Sequence, residues 1–249
     1  MTPTLVIFCG AGTSVDAGLP VFRNTHNALW NNCDVTVVCN YFLWKKIIKT
    51  KGRADYINQF YHDFFVKVKR TKPTEFHYWV KDLIDKKEYN VQIITTNVDD
   101  LFEKAGIDAK RIIHLHGEIT KSRCTICHKT TEYSEEMKTT NPESRCPNEK
   151  CKSRYYKTDA AFFDESLIVH ERYTKANYVL QKIKHQDTML HLGSSDTTFH
   201  LLRKKWDEAC DIGCKSIRVN PVGSDQTHFN TIDLRFTMEE FMKKTNEYI

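Results

Sequence analysis

The chain has 249 residues, 40% of them hydrophobic and 28% charged, which suits a globular protein with a sizeable core. Its formal charge of +5 comes from 37 basic and 32 acidic residues spread along the chain, so the concentrated basic face of a nucleic-acid binder is not expected. No run approaches the ~18 apolar residues of a membrane span. No basic start or export cleavage pattern accompanies the first apolar run either. The nine cysteines are odd in number and four of them have zinc spacing, so a soluble protein of the reducing cytoplasm is expected rather than a disulfide framework.

Six short apolar runs, at 5–9, 91–95, 111–115, 160–163, 189–192 and 216–219, read as strands covered on both faces. Helical stretches at 76–83, 100–104, 173–184 and 201–210 lie between several of them. The alternation predicts an α/β fold built on a Rossmann-like, doubly wound parallel sheet, which binds ligands beyond the carboxyl ends of its strands. Two stretches break the pattern. Residues 27–70 are rich in aromatics and read as a helical module, and residues 119–157 are polar and hold the four spaced cysteines. We expect them to form a second, smaller domain. Residues 1–26, 71–118 and 158–249 then make one discontinuous cofactor-binding domain.

Gly10, Ala11, Gly12 and Ser14 follow the first strand. Small residues there let backbone approach a phosphate, and equally serve a tight turn with no ligand. Phe22 and Arg23 add a ring and a guanidinium close by. Asn97 and Asp99 sit where a strand gives way to a helix, as a helix cap or as polar groups facing a ligand. His116 ends the third strand, where reactive groups gather, and imidazole is the natural base near neutral pH. His114, two residues earlier, is read as structural. Cys124 and Cys127 form one close pair, and Cys146 and Cys151 another. Two such pairs can supply the four thiolates of a closed, structural Zn²⁺ site.

The run from Gly10 to Arg23 resembles the signature of the sirtuins, NAD-dependent protein deacylases. Thr95-Thr96-Asn97-Val98-Asp99, His114-Leu115-His116-Gly117, Gly193-Ser194-Ser195 and Val219-Asn220 are similar to later blocks of that family, in the same order. The resemblance implies that Gly10, Ala11, Gly12, Ser14, Phe22, Arg23, Asn97, Asp99, Gly193, Ser194, Ser195 and Asn220 bind NAD. It implies that Asn97 orients the reactive end of the cofactor and Asp99 holds the nicotinamide amide. His116 would be the general base, and nicotinamide and O-acyl-ADP-ribose the products.

The stretch from Asp159 to Glu165 resembles the family's peptide groove, so Phe163, Asp164 and Glu165 are expected to line the site of an acyl-lysine peptide or protein. Three positions depart from the family pattern. Thr96 stands at a usual glutamine, Thr158 at a usual proline and Asp164 at a usual glycine. Tyr61 matches the tyrosine of a branch that includes the bacterial enzymes and the desuccinylases, but Phe64 occupies the position of that branch's arginine. A ring cannot make the charge-assisted bonds that an acyl carboxylate needs. Neutral acyl groups such as acetyl are therefore expected over succinyl, unless Tyr61 and Phe64, at helical spacing, are plain core. ADP-ribosyl transfer and simple NAD cleavage on the same cofactor site are the alternative chemistry.

Overall fold

The first apolar run forms strand β1, Thr4–Cys9. Leu5, Ile7 and Cys9 enter one core while Val6 and Phe8 enter another, as the two-residue period of a strand dictates. Both faces are covered, so every residue from Leu5 to Cys9 must be apolar. This computed structural model describes residues 2–20, 33–51, 55–133, 146, 148–151, 153, 156–224 and 227–249.

Strand β1 lies inside a six-stranded sheet whose pairs are all parallel. On one side run β2, Asn90–Thr95, and β3, Ile112–His114. On the other run β7, Thr188–Leu192, then β8, Lys215–Val219, and β9, Thr231–Leu234. The order β3-β2-β1-β7-β8-β9 reverses direction between β1 and β7, which makes their carboxyl ends a switch point. One core packs the sheet against α4, Glu75–Lys86, and α8, Met238–Lys244, through Phe76, Val80 and Phe241. The other packs it against α6, Ser166–Leu180, and α7, Asp196–Asp211, through Tyr173, Ala176, Leu202 and Trp206. The fold is thus the expected doubly wound α/β architecture.

A third apolar cluster lies beyond the sheet. Helix α3, Asp55–Arg70, buries Ile57, Tyr61, Phe64, Phe65 and Val68. Their spacing gives one helical stripe. The stripe packs with Trp44 of α2, Tyr41–Lys51, and with Val98, Ile119, Ala160 and Phe162. Next to it stands a small antiparallel sheet. Its centre is β4, Lys121–Cys124, flanked by β5, Thr130–Glu132, and β6, Tyr156–Thr158. Two short helices complete the labelled elements: α1, Val35–Val38, and α5, Leu101–Lys104.

Two strand expectations are corrected. The apolar run at 160–163 is not a strand of the main sheet; it is an irregular loop with one bridge, between Phe163 and Asn40. Its apolarity serves the third cluster, where Ala160 and Phe162 are buried. Conversely, β9 carries no continuous apolar run because it is a half-exposed edge strand that needs none. The helix expected at 173–184 starts earlier and stops at Leu180.

Candidate active site

Strand register brings the site together. Cys9 is level with Thr95 and with Leu192, Thr95 with His114, and Leu192 with Val219. The loops that follow all five strands therefore leave the sheet along one edge.

At the switch point the loop after β1 lies against the loop after β7. Gly10 N–H donates to the Leu192 carbonyl at 3.0 Å and Gly12 N–H to the Gly193 carbonyl at 2.8 Å. A Cβ on Gly10 would stand 2.3 Å from the Ser194 Cβ, and one on Gly12 would stand 2.7 Å from the Gly193 oxygen. The glycines are needed first so that two loops can touch, a use that the sequence reading did not foresee. Gly193 itself has φ +59°, the left-handed region where glycine costs least. Ala11 is half-buried on the same turn. Ser194 is fixed from both sides. Its hydroxyl meets His191 Nε2 at 2.5 Å, and its carbonyl accepts from Asn220 Nδ2 at 3.0 Å. Ser195 precedes the first turn of α7, so a long helix offers its N-terminus to the same edge.

Asn97 and Asp99 join the second loop to the first. Asn97 Nδ2 donates to the Gly10 carbonyl at 3.1 Å and to Ser14 Oγ at 3.1 Å. Ser14 Oγ donates onward to Asp99 Oδ2 at 3.0 Å, and Asp99 Oδ1 accepts from Leu101 N–H at 3.2 Å. Asp99 thus receives the first N–H of α5 and grips the glycine loop at once. Burial raises its carboxyl above the ordinary range, while the Leu101 and Ser14 bonds oppose that rise. Thr96, at the departing position, is buried and turns its hydroxyl inward to the Cys9 carbonyl at 3.3 Å.

The two histidines are held in different charge states. His114 is buried, with Nδ1 3.0 Å from the Asn97 carbonyl and Nε2 3.0 Å from Glu103 Oε1. Burial alone would lower its pKa, but the Glu103 bond and charge outweigh it and hold the ring at about 9. For His116 burial pushes the ring down to about 4. The Arg172 guanidinium adds to that fall, and a bond to the Thr96 carbonyl opposes it. His116 is therefore held as a neutral imidazole, with a backbone carbonyl on one ring nitrogen.

The loop after His116 is tied down from behind. Asp159, almost wholly buried, takes Arg172 Nη2 on both oxygens, at 2.8 and 2.7 Å. It also takes Arg123 Nε, and Glu118 N–H at 3.1 Å. A Cβ on Gly117 would stand 2.2 Å from the Asp159 carbonyl oxygen, so only glycine lets these strands of backbone meet. Ala161 N–H donates to the His116 carbonyl at 2.7 Å, which lays the 159–165 loop across the histidine.

That loop is also stapled from inside. Lys157 is buried, and its Nζ reaches the Thr158 carbonyl at 2.7 Å, the Ala160 carbonyl at 2.8 Å and Glu165 Oε2 at 3.0 Å. Glu165 Oε2 also accepts from Phe162 N–H at 2.8 Å. Glu165 therefore faces the interior. Tyr61 stacks on Phe162, with ring centroids 4.9 Å apart, and its hydroxyl lies 3.5 Å from Cys39 Sγ. Phe64 is buried in the same cluster. Phe163 and Asp164 face outward. Asp164 has φ +67°, a left-handed backbone that favours glycine and that aspartate tolerates better than most residues.

The sulfur atoms of Cys124, Cys127, Cys146 and Cys151 all lie within 4.8 Å of one another. Two of the separations are 3.8 Å and 3.4 Å. Tetrahedral zinc with bonds of about 2.3 Å sets thiolates about 3.8 Å apart, so the donor set fits one such ion. Ile126 N–H donates to Cys124 Sγ at 3.4 Å, a bond that favours the thiolate.

Comparison with protein families matches residues 10–199 to the Sir2 family. The chain belongs to the Sir2 family. A curated Sir2-like relative, the NAD-dependent protein deacylase of Campylobacter jejuni, is 33% identical over a stretch covering 65% of this chain and 63% of that protein. The chain thus spans just under two thirds of the length of that relative. A protein of the same name from Helicobacter hepaticus is 30% identical over 78% of this chain and 75% of its own. Among solved structures, a Sir2 homolog–NAD complex superposes with a TM-score of 0.74 at 24% identity, covering 97% of this chain and 87% of that one. A Sir2 complex with a p53 peptide and NAD gives a TM-score of 0.70 at 21% identity, covering 98% and 92%.

In this Sir2-family chain Gly10, Gly12, Ser14, Asn97, Asp99, Gly193, Ser194 and Asn220 stand in one bonded set around the strand ends, with His116 beside them. Phe22 and Arg23 lie outside the described residues. Sequence reasoning missed Lys157 and Arg172, and it read Asp159 only as groove. Their roles depend on contacts between segments far apart in the chain, for which spacing carries no signal. No helix among the described residues is long and apolar enough to cross a membrane.

Proposed function

We propose that this Sir2-family protein is an NAD-dependent protein lysine deacylase that favours neutral acyl groups, such as acetyl, over succinyl. One observation carries the reading: a neutral His116, fixed through the Thr96 carbonyl, stands next in the fold to the Asn97–Ser14–Asp99 clamp. The names of the Campylobacter and Helicobacter relatives support it.

Gly10, Ala11, Gly12, Ser14, Asn97, Asp99, Gly193, Ser194, Ser195 and Asn220 would hold NAD, joined by Phe22 and Arg23. When bound, NAD would supply a ribose carbon from which an acyl oxygen can displace nicotinamide. Asn97 and Asp99 orient polar groups at the sheet edge. His116 accepts a hydroxyl proton at the ring nitrogen not bonded to Thr96. Burial, with a smaller contribution from Arg172, keeps that ring unprotonated until the proton arrives. The loop from Phe163 to Glu165 lies alongside an extended peptide. Cys124, Cys127, Cys146 and Cys151 would hold one structural Zn²⁺ and leave it no open position.

The preference for neutral acyl groups is supported by the small cleft lined by Tyr61, Phe162, Asn58, Tyr133, Thr158 and Lys157. Among its described lining residues Lys157 is the single cation, and Glu165 already neutralises it. A free acyl carboxylate would be buried there without a partner. Incubating the protein with NAD and matched acetyl- and succinyl-lysine peptides tests both levels. Acetyl transfer onto ADP-ribose, seen by mass, is the expected result. Faster succinyl removal overturns the acyl preference. Unacylated ADP-ribose, free or on protein, indicates NAD glycohydrolysis or ADP-ribosyl transfer instead.

The same reading divides the chain into a cofactor domain, 1–26, 71–118 and 158–249, and a small domain, 27–70 with 119–157. A reducing, cytoplasmic setting is part of the same reading, because an odd number of cysteines with four at zinc spacing does not suit a disulfide framework.

A further inference from the structure

The turn at 162–165 is held in a conformation that its own sequence does not favour. Asp164 sits at φ +67°, where an L side chain other than glycine costs about 1–2 kcal/mol. Such a residue persists only when its surroundings fix it. Here they do. On the N-terminal side, Phe162 N–H is bound by Glu165 Oε2 across the turn. Phe163 N–H is bound by the Cys39 carbonyl at 2.7 Å. On the C-terminal side, Glu165 is anchored by the buried Lys157, whose Nζ also holds two carbonyls of the preceding loop. With both neighbours pinned inward, Phe163 and Asp164 have only one way to face.

The result is a carboxylate carried outward on a rigid turn. Asp164 is exposed and has no ion-pair or hydrogen-bond partner among the described residues. Phe163 beside it leaves 42% of its surface in solvent. The loop that carries them crosses the His116 carbonyl through Ala161 N–H, two residues before Phe163. An uncommitted negative charge next to an exposed ring, fixed relative to the histidine, suits a cation on an extended partner.

We propose that Asp164, presented by the Lys157–Glu165 staple, makes this site select acyl-lysine peptides that carry an arginine or lysine close to the modified lysine. This inference rests on the deacylase reading above.

The test uses the full chain with NAD and two acetyl-lysine peptides, alike except for arginine or alanine at the flanking positions. The wild-type protein should show a KM about threefold to fivefold lower for the arginine peptide, the size of one exposed ion pair. That ratio should shrink in high salt. In Asp164→Asn and in Asp164→Gly, both of which tolerate a left-handed backbone, the ratio should fall to about one. Equal KM values in the wild type, or a preference that survives both substitutions, overturn the inference and leave the deacylase reading standing. Failure to process either peptide overturns the deacylase reading and this inference with it.

Discussion

His114 Nε2 stands 3.0 Å from Glu103 Oε1, joining the end of β3 to helix α5 at the back of the Asn97 loop. The same ring holds the Asn97 carbonyl through Nδ1. A charged His114 is therefore part of what fixes Asn97.

Stability should carry the sign of that pair. The pKa of His114 rises from 6.5 to about 9 on folding, so between those values the folded chain binds more protons than the unfolded one. The contribution is complete below pH 6.5 and is lost as pH climbs through 9. We expect denaturant midpoints to fall between pH 6.5 and 9.5, by an amount equivalent to on the order of 2–3 kcal/mol. Glu103→Gln should remove most of that slope. An unchanged slope in the variant would place the pH dependence elsewhere.

His116 has the opposite character. With its ring pushed down to about 4, the basic form is already present at pH 6. The acidic limb of kcat/KM should lie well below the ordinary histidine value. Replacing Arg172 with methionine removes a cation that lowers this pKa, so the limb should move toward higher pH. His116→Ala should cost about 10²- to 10⁴-fold in kcat. A limb near 6.5 in the wild type would refute the assignment.

Gly10 is a packing prediction. Gly10→Ala puts a methyl 2.3 Å from the Ser194 Cβ, and both groups sit on backbone that cannot turn aside. Overpacking of this kind costs about 1–3 kcal/mol or more. Thermal unfolding should show that loss together with weakened NAD binding by calorimetry. Gly213→Ala meets no atom within 4 Å but strains a backbone at φ +84°, so it should cost stability alone.

For the cysteine module, metal analysis of the purified chain should find one zinc per molecule. Chelation, or Cys146→Ser, should lower the melting temperature, because metal binding and folding of such a module are linked. Retention of the same melting temperature without metal would argue for a module held by its apolar contacts.

The sequence by itself determined the layers of the sheet and which blocks follow its strand ends. A strand buried on both faces leaves a run such as Leu5 to Cys9, and two close pairs of thiols mark a four-sulfur cluster, because both signals are local. Asn97, Asp99 and His116 were legible for the same reason: each follows a strand end. It could not show that the run at 160–163 is a loop, since burial under a second cluster leaves the same apolar signature as burial in a sheet. It could not show that Gly10 and Gly12 serve Gly193 and Ser194, or that Lys157, Glu165, Asp159 and Arg172 hold the loop across His116. Those partners meet only when the chain has folded, and their energies depend on burial and distance, which no single stretch of sequence contains.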